Sequence, residues 1–326
     1  MSTTARSEMF ELLHHAVSRA ILAPSIHNTQ PWRFRIGTNT IEVRADRDRR
    51  LRVLDPTGRQ LMISLGCALF NARVALAAER REVSVHRLPN PSDPGLVARL
   101  VVADRLAPWH PLTRLDPAID RRHSNRRPFF ETRVADEVQW ELTAAARAED
   151  SMLTPVTSDF HRLEVARLLW EAEAEQADDP AYRAELREWT TGIASRRDGI
   201  TSQSYPMSSD DRGEIPLRDF GVKVGGHMAP VTASGRDQCL MILGCRQDTS
   251  LAWLRAGEAL ERLWLEATRL DHVASLFTQL IEVPDLRDEL RIQLGLEYQP
   301  LVLIRVGQAA PNVATNRREL DQMIED

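Results

Sequence analysis

The stretch Ala23-Pro24-Ser25-Ile26-His27-Asn28-Thr29-Gln30-Pro31-Trp32 separates a predicted amphipathic helix from a predicted strand. Pro24 ends the helix, because it has no N–H to donate and its ring clashes with the preceding turn. Pro31 fixes the backbone where the strand begins. Between the prolines, Ser25 and Asn28 place a hydroxyl and a carboxamide on a backbone of limited freedom. Such a loop suits a planar heterocycle whose edge alternates donors and acceptors, although these residue types also make ordinary turns.

The order of residues in this loop resembles the flavin-edge loop of the FMN-dependent nitroreductase family. The shared pattern is Pro-Ser-x-x-Asn-x-Gln-Pro-Trp. The resemblance implies that Pro24, Ser25, Ile26 and Asn28 contact the pyrimidine edge of FMN.

Length, composition and charge set the broad class of the protein. A chain of 326 residues can hold two ordinary domains or one large one. Its hydrophobic content of 43% and charged content of 27% are typical of globular proteins. The net charge of -5 and pI near 6.0 argue against a nucleic-acid binder. The N-terminus shows no secretory signal and no apolar stretch is long enough to span a membrane, so we expect a soluble cytoplasmic protein.

The cysteines and the common catalytic motifs give no further site. Cys67, Cys239 and Cys245 lie mostly in apolar runs without CxxC or metal-ligand spacing, which predicts free buried thiols and no metal. The sequence also lacks the GxGxxG, Walker A, HExxH and GxSxG patterns. A nicotinamide, if used, would therefore be a transient substrate.

Periodicity predicts the individual helices and strands, and the resemblance implies that they form an α+β, nitroreductase-like fold with antiparallel-rich sheets around a helical core. The predicted helices cover residues 8–22, 59–79, 134–148, 159–176, 180–191, 249–270 and 284–293. The predicted strands cover residues 32–36, 41–45, 83–88, 97–104, 239–244 and 301–306.

Two segments interrupt this pattern and divide the chain. The proline-rich stretch 107–120 predicts a linker between a first half, residues 1–106, and a second half, residues 121–326. Residues 192–235 combine Gly, Pro, Ser and Asp with little periodicity, which predicts a long insertion that is either disordered or a functional lid.

The two long apolar helices of these halves are similar. Leu65-Gly66-Cys67-Ala68-Leu69 matches Ala256-Gly257-Glu258-Ala259-Leu260 at an offset of 191 positions. An internal duplication explains the match, although any two helices that cross closely use Gly and Ala at the contact.

The second motif is Arg122-His123-Ser124-Asn125-Arg126. Guanidinium groups bind phosphate with fixed bidentate geometry, although an arginine-rich segment can also be a solvated face. The string resembles the Arg-x-Ser-x-Arg/Lys motif that holds the FMN phosphate in nitroreductases. That resemblance assigns Arg122, Ser124 and Arg126 to the phosphate and ribityl chain, and His123 to a backbone contact.

The order of the two motifs is reversed relative to most nitroreductases. In the family the phosphate motif precedes the Pro-Ser loop, and two subunits together complete each site. Here the loop comes first, so one chain looks like two fused nitroreductase-like halves, each retaining part of a single site. This arrangement, with its long insertion, is similar to the Acg-like branch of the family. A monomer then suffices for one FMN, and a dimer is also possible.

Two weaker assignments follow from the same resemblance. The family loop that approaches flavin N5 corresponds to Ser275-Leu276-Phe277-Thr278-Gln279, which points to Thr278 and Gln279 but lacks the Glu-Gly of many relatives. Basic residues after the last strand point to Arg317 and Arg318, although an exposed charged tail explains that segment too.

Three functions are open at this point. The resemblance implies an oxidoreductase that uses NAD(P)H and FMN to reduce nitroaromatic or quinone-type acceptors, with no catalytic side chain required. The insertion, if Arg218-Asp219-Phe220 and its neighbours close over the ring, instead favours a protein that sequesters or stores flavin. A degenerate protein without cofactor is the third alternative.

Overall fold

The structure is a computed structural model that describes residues 3–127, 129–191, 196–201, 239–310 and 314–325. The helices are α1 (Thr3–Ala20), α2 (Arg59–Ala78), α3 (Asp116–Arg121), α4 (Asp136–Arg147), α5 (Asp159–Asp178), α6 (Pro180–Trp189), α7 (Ser250–Arg269), α8 (Gln279–Glu282) and α9 (Pro284–Gln293). The strands are β1 (Trp32–Ile36), β2 (Thr40–Ala45), β3 (Arg81–Arg87), β4 (Leu96–Leu106), β5 (Met152–Pro155), β6 (Thr190–Thr191), β7 (Ile200–Thr201), β8 (Cys239–Cys245), β9 (Val273–Phe277), β10 (Gln299–Gly307) and β11 (Ile324–Glu325). The predicted α+β class is confirmed.

The first sheet has five strands in the order β11-β1-β2-β4-β3. The four strands from β1 to β4 pair in antiparallel fashion, and β11 runs parallel to β1. Inward residues such as Phe34, Ile41 and Val43 are fully buried, which is the alternation of a sheet with one face on the core. Because β11 comes from the end of the chain, the last residues of the predicted second half complete the first sheet.

The second sheet has four antiparallel strands in the order β5-β8-β10-β9. Its connectivity repeats that of the first sheet. Both units share a helix–strand–strand–helix–strand–strand order, α1-β1-β2-α2-β3-β4 and α4-β5-β8-α7-β9-β10. The second unit has additional elements, α5 to β7 between β5 and β8 and α8 to α9 between β9 and β10. In each, the four strands are ordered first, second, fourth, third, and the first helix packs on the second. This shared topology supports the predicted duplication.

The two units meet where α2 crosses α7. A Cβ on Gly257 would lie 2.1 Å from the carbonyl oxygen of Ile63 and 2.9 Å from the Cα of Gly66. A Cβ on Gly66 would likewise lie 2.1 Å from the carbonyl oxygen of Leu254. The paired glycines of the two similar sequences therefore face each other at one crossing. One apolar cluster extends from α1 and the first sheet through both helices to the second sheet.

The segment predicted as a linker packs into this framework. Within residues 107–120, Leu112, Leu115 and Ala118 are buried against α2 and α7. Pro111 and Pro117 of this segment begin helical turns, since Pro at the first turn is compatible with a helix. The division of the chain into halves at this segment stays a prediction.

Only residues 196–201 of the predicted insertion are described. Residues 192–195 and 202–235, including Arg218-Asp219-Phe220, lie outside the described residues. Ile200 joins a buried apolar cluster with Leu51, Tyr182 and Trp189, and β7 pairs with β6 at the end of α6.

One described helix, α2, is long and apolar enough to cross a membrane by length and composition. Of its most apolar stretch, 89% is buried inside the protein.

Candidate functional site

A cleft opens between the loop after α1, one face of α2 and the edge of the second sheet. We call it the apolar cleft; it encloses about 880 Å³ with its mouth included, and its floor is Ile63, Leu260, Leu276, Phe277 and Val302. A neighbouring polar cleft of about 490 Å³ is lined by Asn28, Arg122, Arg317 and residues 199–200. Pro24, Ser25, Ser124 and Arg126 line both clefts, so the two are continuous.

The structure brings together all but two of the predicted site residues. The apolar cleft contains Pro24, Ser25, Ile26, Ser124, Arg126, Thr278 and Gln279, and the polar cleft adds Asn28, Arg122 and Arg317. His123 and Arg318 line neither cleft. The two sequence motifs, almost a hundred positions apart, therefore meet at one surface.

The loop after α1 has a preset and strained backbone. Its residues with positive φ are His27 (45°), Asn28 (52°) and Gln30 (49°). Each L-residue in this left-handed region costs about 1–2 kcal/mol. The Oγ of Ser25 accepts the N–H of Gln30 at 2.9 Å, and the Oγ of Ser64 accepts the N–H of Ile26 at 3.1 Å. These bonds hold the loop in shape along the wall of the cleft.

Asn28 bonds to other parts of the protein. Its Nδ2 donates to the carbonyl oxygens of Gly199 at 3.1 Å and Asn316 at 3.2 Å. Its Oδ1 accepts from Nη1 of Arg317 at 3.2 Å. Gln30 bonds the same two segments with its own carboxamide. The carboxamide assigned by resemblance to a flavin edge thus joins the loop to residues 196–201 and to the C-terminal segment.

A second set of contacts fastens residues 196–201, and we call it the clasp. The carboxylate of Asp198 is ion-paired with Arg49 and Arg196. Both guanidinium groups lie over the ring of Trp189, at 5.3 and 5.5 Å from its centroid. Burial opposes the charged carboxylate, but the hydrogen bonds from the two arginines hold the pKa of Asp198 below its usual value.

Asn125 attaches the arginine-rich motif to the edge of the second sheet. Its N–H donates to the carbonyl oxygen of Ala274 at 2.9 Å, and its Nδ2 donates to that of Ala310 at 2.9 Å. Ser124 forms a parallel β-bridge with Ala274. In an extended segment alternate side chains point to opposite sides. Asn125 therefore bonds into the protein, while Ser124 and Arg126 line the clefts.

Arg122 lies beneath the polar cleft and is only 3% exposed. Its Nε is 3.3 Å from Oε1 of Glu261, and its Nη2 donates to the carbonyl oxygen of Leu22 at 3.1 Å. Its guanidinium lies 4.8 Å from the ring centroid of Trp264. A buried carboxylate and an aromatic ring thus set its position.

Arg317 uses its donors on main-chain oxygens. It reaches the carbonyl oxygens of residues 21, 22 and 23 beyond the end of α1, and of residues 315 and 316. Cations near the last carbonyls of a helix are stabilising. Burial, followed by repulsion from Arg122, lowers the pKa of Arg317 to about 9. These contacts favour a structural role for Arg317, in contrast to the phosphate contact that the resemblance implies.

Arg318 and His123 lie outside the lining of both clefts. The N–H of Arg318 donates to Oε1 of Gln30 at 2.8 Å, so the residue anchors the loop. His123 is half-buried, and burial together with Arg122 and Arg317 lowers its pKa.

Three residues of α2 that line the apolar cleft are not among the site residues predicted from the sequence. Gln60, Ser64 and Cys67 line the apolar cleft. They are the polar or small positions at i, i+4 and i+7 of an otherwise apolar helix, so they share one face. That spacing could have identified them.

The side chain of Gln60 indicates what kind of ligand the apolar cleft can hold. Its Nε2 is buried and has no hydrogen-bond partner among the described residues. An unpaired buried donor costs about 1–3 kcal/mol, which a ligand acceptor would recover. A planar apolar body with acceptors on its edge and an anionic tail fits this arrangement of donor, apolar floor and arginines. In the described part of the chain, no three His, Cys, Asp or Glu side chains are grouped to hold a metal.

Comparison with known proteins identifies the family of this chain. No protein-family model matches the chain. A protein of Mycobacterium tuberculosis (strain ATCC 25618 / H37Rv) named "Putative NAD(P)H nitroreductase Rv3131" is 32% identical over 320 residues, which cover 97% of this chain and 91% of that protein. "Putative NAD(P)H nitroreductase acg" of the same strain is 32% identical over 319 residues, covering 96% of this chain and 95% of that protein.

Both matches extend over almost the whole length of this chain. It belongs to the FMN-dependent nitroreductase family, in the Acg-like branch. The predicted resemblance is thereby confirmed.

Solved structures give a weaker likeness. A nitroreductase with bound FMN from Desulfitobacterium hafniense DCB-2 is 14% identical with a TM-score of 0.41, and the match covers 64% of this chain and 96% of that one. A nitroreductase with bound FMN from Bacteroides fragilis NCTC 9343 is 16% identical with a TM-score of 0.37, covering 63% and 93%.

Proposed function

We propose that this protein, a nitroreductase-like oxidoreductase by family, binds one FMN in the joined clefts and uses NAD(P)H to reduce nitroaromatic or quinone-type acceptors. The observation that carries the proposal is the meeting of the Pro24–Ile26 loop with Ser124 and Arg126 around one continuous cleft. A fused chain that supplies both motifs completes the site without a second subunit.

Each part of the joined clefts suits one part of FMN. The apolar floor would take the isoalloxazine ring, since aromatic surfaces gain most from burial on apolar side chains. The unpaired Nε2 of Gln60 would donate to an acceptor on the pyrimidine edge. Ser124 and Arg126, with Arg122 beneath them, would hold the phosphate through charge-assisted hydrogen bonds.

Bound FMN would supply the hydride chemistry at its N5. The chain's own residues have the simpler tasks of orienting the ring, excluding water from its buried side and fixing the anionic tail. The apolar floor and the rigid loop perform the first two tasks. The third places positive charge next to a cofactor that gains negative charge on reduction.

We expect one FMN per chain, because charged side chains occupy the positions that correspond to this cleft in the other half of the duplicated fold. At an offset of 191, cleft residues Ser64, Cys67 and Thr278 correspond to Arg255, Glu258 and Arg87. Glu258 and Arg87 belong to an ion-pair network with Arg73, Glu149 and Arg262, and Arg255 pairs with Asp150. Large charged side chains therefore occupy the positions that correspond to the small side chains of the apolar cleft.

Fluorescence titration of FMN tests the proposal. Arg126→Ala removes a charged donor from both clefts without breaking the buried pair of Arg122. We expect it to weaken FMN binding by about 1.5–3 kcal/mol, the scale of a charged hydrogen bond. Arg133→Ala is the matched control, because Arg133 is exposed and its ion pair within the described residues is with the exposed Asp136. Wild-type protein that binds no FMN would refute the proposal.

A flavin-sequestering function is the second candidate. The clasp favours it, because Asp198, Arg49 and Trp189 fasten the start of the insertion beside the polar cleft. Multiple turnover with NADPH and a nitroaromatic acceptor supports the oxidoreductase. Bleaching of the flavin by dithionite without bleaching by NADPH supports sequestration.

A further inference from the structure

Glu261 is a buried carboxylate that neither sequence motif contains. It lies on α7 with no exposed surface, and both carboxylate oxygens lack a hydrogen-bond partner among the described residues. Its nearest charge is Arg122, with Nε 3.3 Å from Oε1. A buried ion normally needs several hydrogen bonds to offset its lost hydration. Glu261 is therefore poorly stabilised in its charged form.

The groups that face Glu261 come from three directions. The segment after α3 supplies Arg122, and the C-terminal segment supplies the buried Arg317. Helix α2 supplies the carboxamide of Asn71 and the thiol of Cys67. Burial raises the pKa of Glu261 to about 7, although attraction to Arg122 works in the opposite direction. Burial also raises the pKa of Cys67 well above its usual value, so the thiol stays protonated.

Both arginines that face Glu261 also line the polar cleft. With Glu261 charged, the cluster of two guanidinium groups and one carboxylate carries a single net positive charge. With Glu261 protonated, the same cluster carries two. An anion that enters the polar cleft therefore meets a stronger positive potential when Glu261 holds a proton.

We propose that Glu261 is an exchangeable counter-ion of Arg122: it takes up one proton from solvent when an anionic group binds in the polar cleft, and Arg122 then serves the bound anion. The inference rests on the proposed function, in which that anion is the phosphate of FMN. No bond other than the O–H of Glu261 forms or breaks. Glu261 acts through Arg122 and is a positioning residue.

The dependence of FMN affinity on pH tests this coupling. A single coupled proton with a pKa of about 7 weakens FMN binding about eightfold between about pH 6.5 and pH 8. We expect this loss in wild type, measured as the Kd by fluorescence quenching. In Glu261→Gln, the side chain is neutral at every pH, so the loss should be absent. His123 and the FMN phosphate titrate mostly below this range and affect both proteins equally.

Riboflavin is the matched ligand, because it carries the same ring without the phosphate. Its Kd should not vary with pH in either protein. Titration calorimetry of wild type with FMN near pH 7.5, in two buffers of different ionisation enthalpy, counts the proton directly. We expect an uptake of about 0.7–0.8 proton per FMN bound. This count needs no variant and holds even if Glu261→Gln fails to fold.

The outcomes separate the two proposals. Wild type that binds neither FMN nor riboflavin overturns the proposed function. Wild type that binds FMN with no proton uptake, or with the same pH profile as Glu261→Gln, leaves the FMN site standing and overturns the counter-ion role.

Discussion

The close crossing of α2 and α7 makes Gly257→Ala a sharp perturbation. The added methyl carbon would lie 2.1 Å from the carbonyl oxygen of Ile63 and 2.9 Å from the Cα of Gly66. A carbon normally stays about 3.3 Å or more from such an oxygen. Because the contacts are to backbone atoms, no side-chain rotation relieves them. The helices would have to separate by roughly 1.2 Å.

Two opposing effects determine how much Gly257→Ala lowers the free energy of unfolding. Overpacking of a tight core costs typically 1–3 kcal/mol, and a shift of whole helices lies at the upper end of about 3 kcal/mol. Replacing glycine by alanine inside a helix returns about 1 kcal/mol of helix propensity. We therefore expect a net loss of about 2 kcal/mol, which corresponds to a fall in Tm of about 3 °C for a chain of this length.

The assay is thermal unfolding of four variants beside wild type: Gly257→Ala, Gly66→Ala, their double variant and a control. Gly37→Ala is the control, because its nearest contact is the rotatable hydroxyl of Thr40, and its Tm should stay close to wild type. The double variant with Gly66→Ala should lose less than the sum of the single losses, since the helices have already moved apart. A Gly257→Ala protein that melts at or above the wild-type temperature would refute the close contact.

Three further predictions concern the charged groups. Glu258→Gln should cost about 3–5 kcal/mol in urea unfolding, because it leaves Arg87 without its buried counter-ion and Arg73 with Glu149 alone, whereas Arg105→Ala should cost at most about 1 kcal/mol because that pair is exposed. Asp198→Asn should open the clasp, and limited proteolysis should then cut near residues 196–201 faster without a change in Tm of more than a few degrees. The folded-state pKa of Glu261 is raised, mainly by burial, from 4.5 to about 7, so native protein holds a proton that the unfolded chain has lost between those values. The titration of Glu261 should therefore lower the free energy of unfolding by about 3 kcal/mol as pH rises from about 4.5 to 7. Glu261→Gln should remove this part of the pH dependence.

The sequence predicts most of the fold because its signals are local. The spacing of apolar residues identifies α2 and α7 almost to their ends, and the alternation in β1 and β2 identifies both strands. β5 is not predicted, because it has four residues and ends in proline. Proline is tolerated there since β5 is the edge strand of its sheet. β9 is also missed, because the resemblance assigns Ser275-Leu276-Phe277 to a loop, whereas these residues belong to the strand Val273–Phe277.

The candidate site is predictable only in part, for a physical reason. Ser25, Ser124 and Arg126 belong to continuous motifs, so their pattern is visible along the chain. Glu261 and Gln60 act through positions that only the packing of α7 and α2 brings to the clefts. Arg317 shows the opposite case: its residue type fits a phosphate ligand, yet its donors are taken by carbonyl oxygens at the end of α1.

The same framework thus carries two different charge arrangements. In one half, Cys67 and Thr278 are small, and the space between the central helix and the sheet edge remains a cleft. In the other, Glu258 and Arg87 occupy the corresponding positions and satisfy each other at 2.6 Å. Glu258 is paired with two arginines, so the charged groups around it already have partners within the protein. Among the described residues Glu261 has Arg122 as its one ion-pair partner, so the arginines beside it keep a positive potential that an anion can use. The difference between a binding site and a sealed core therefore depends on how completely each buried glutamate is paired.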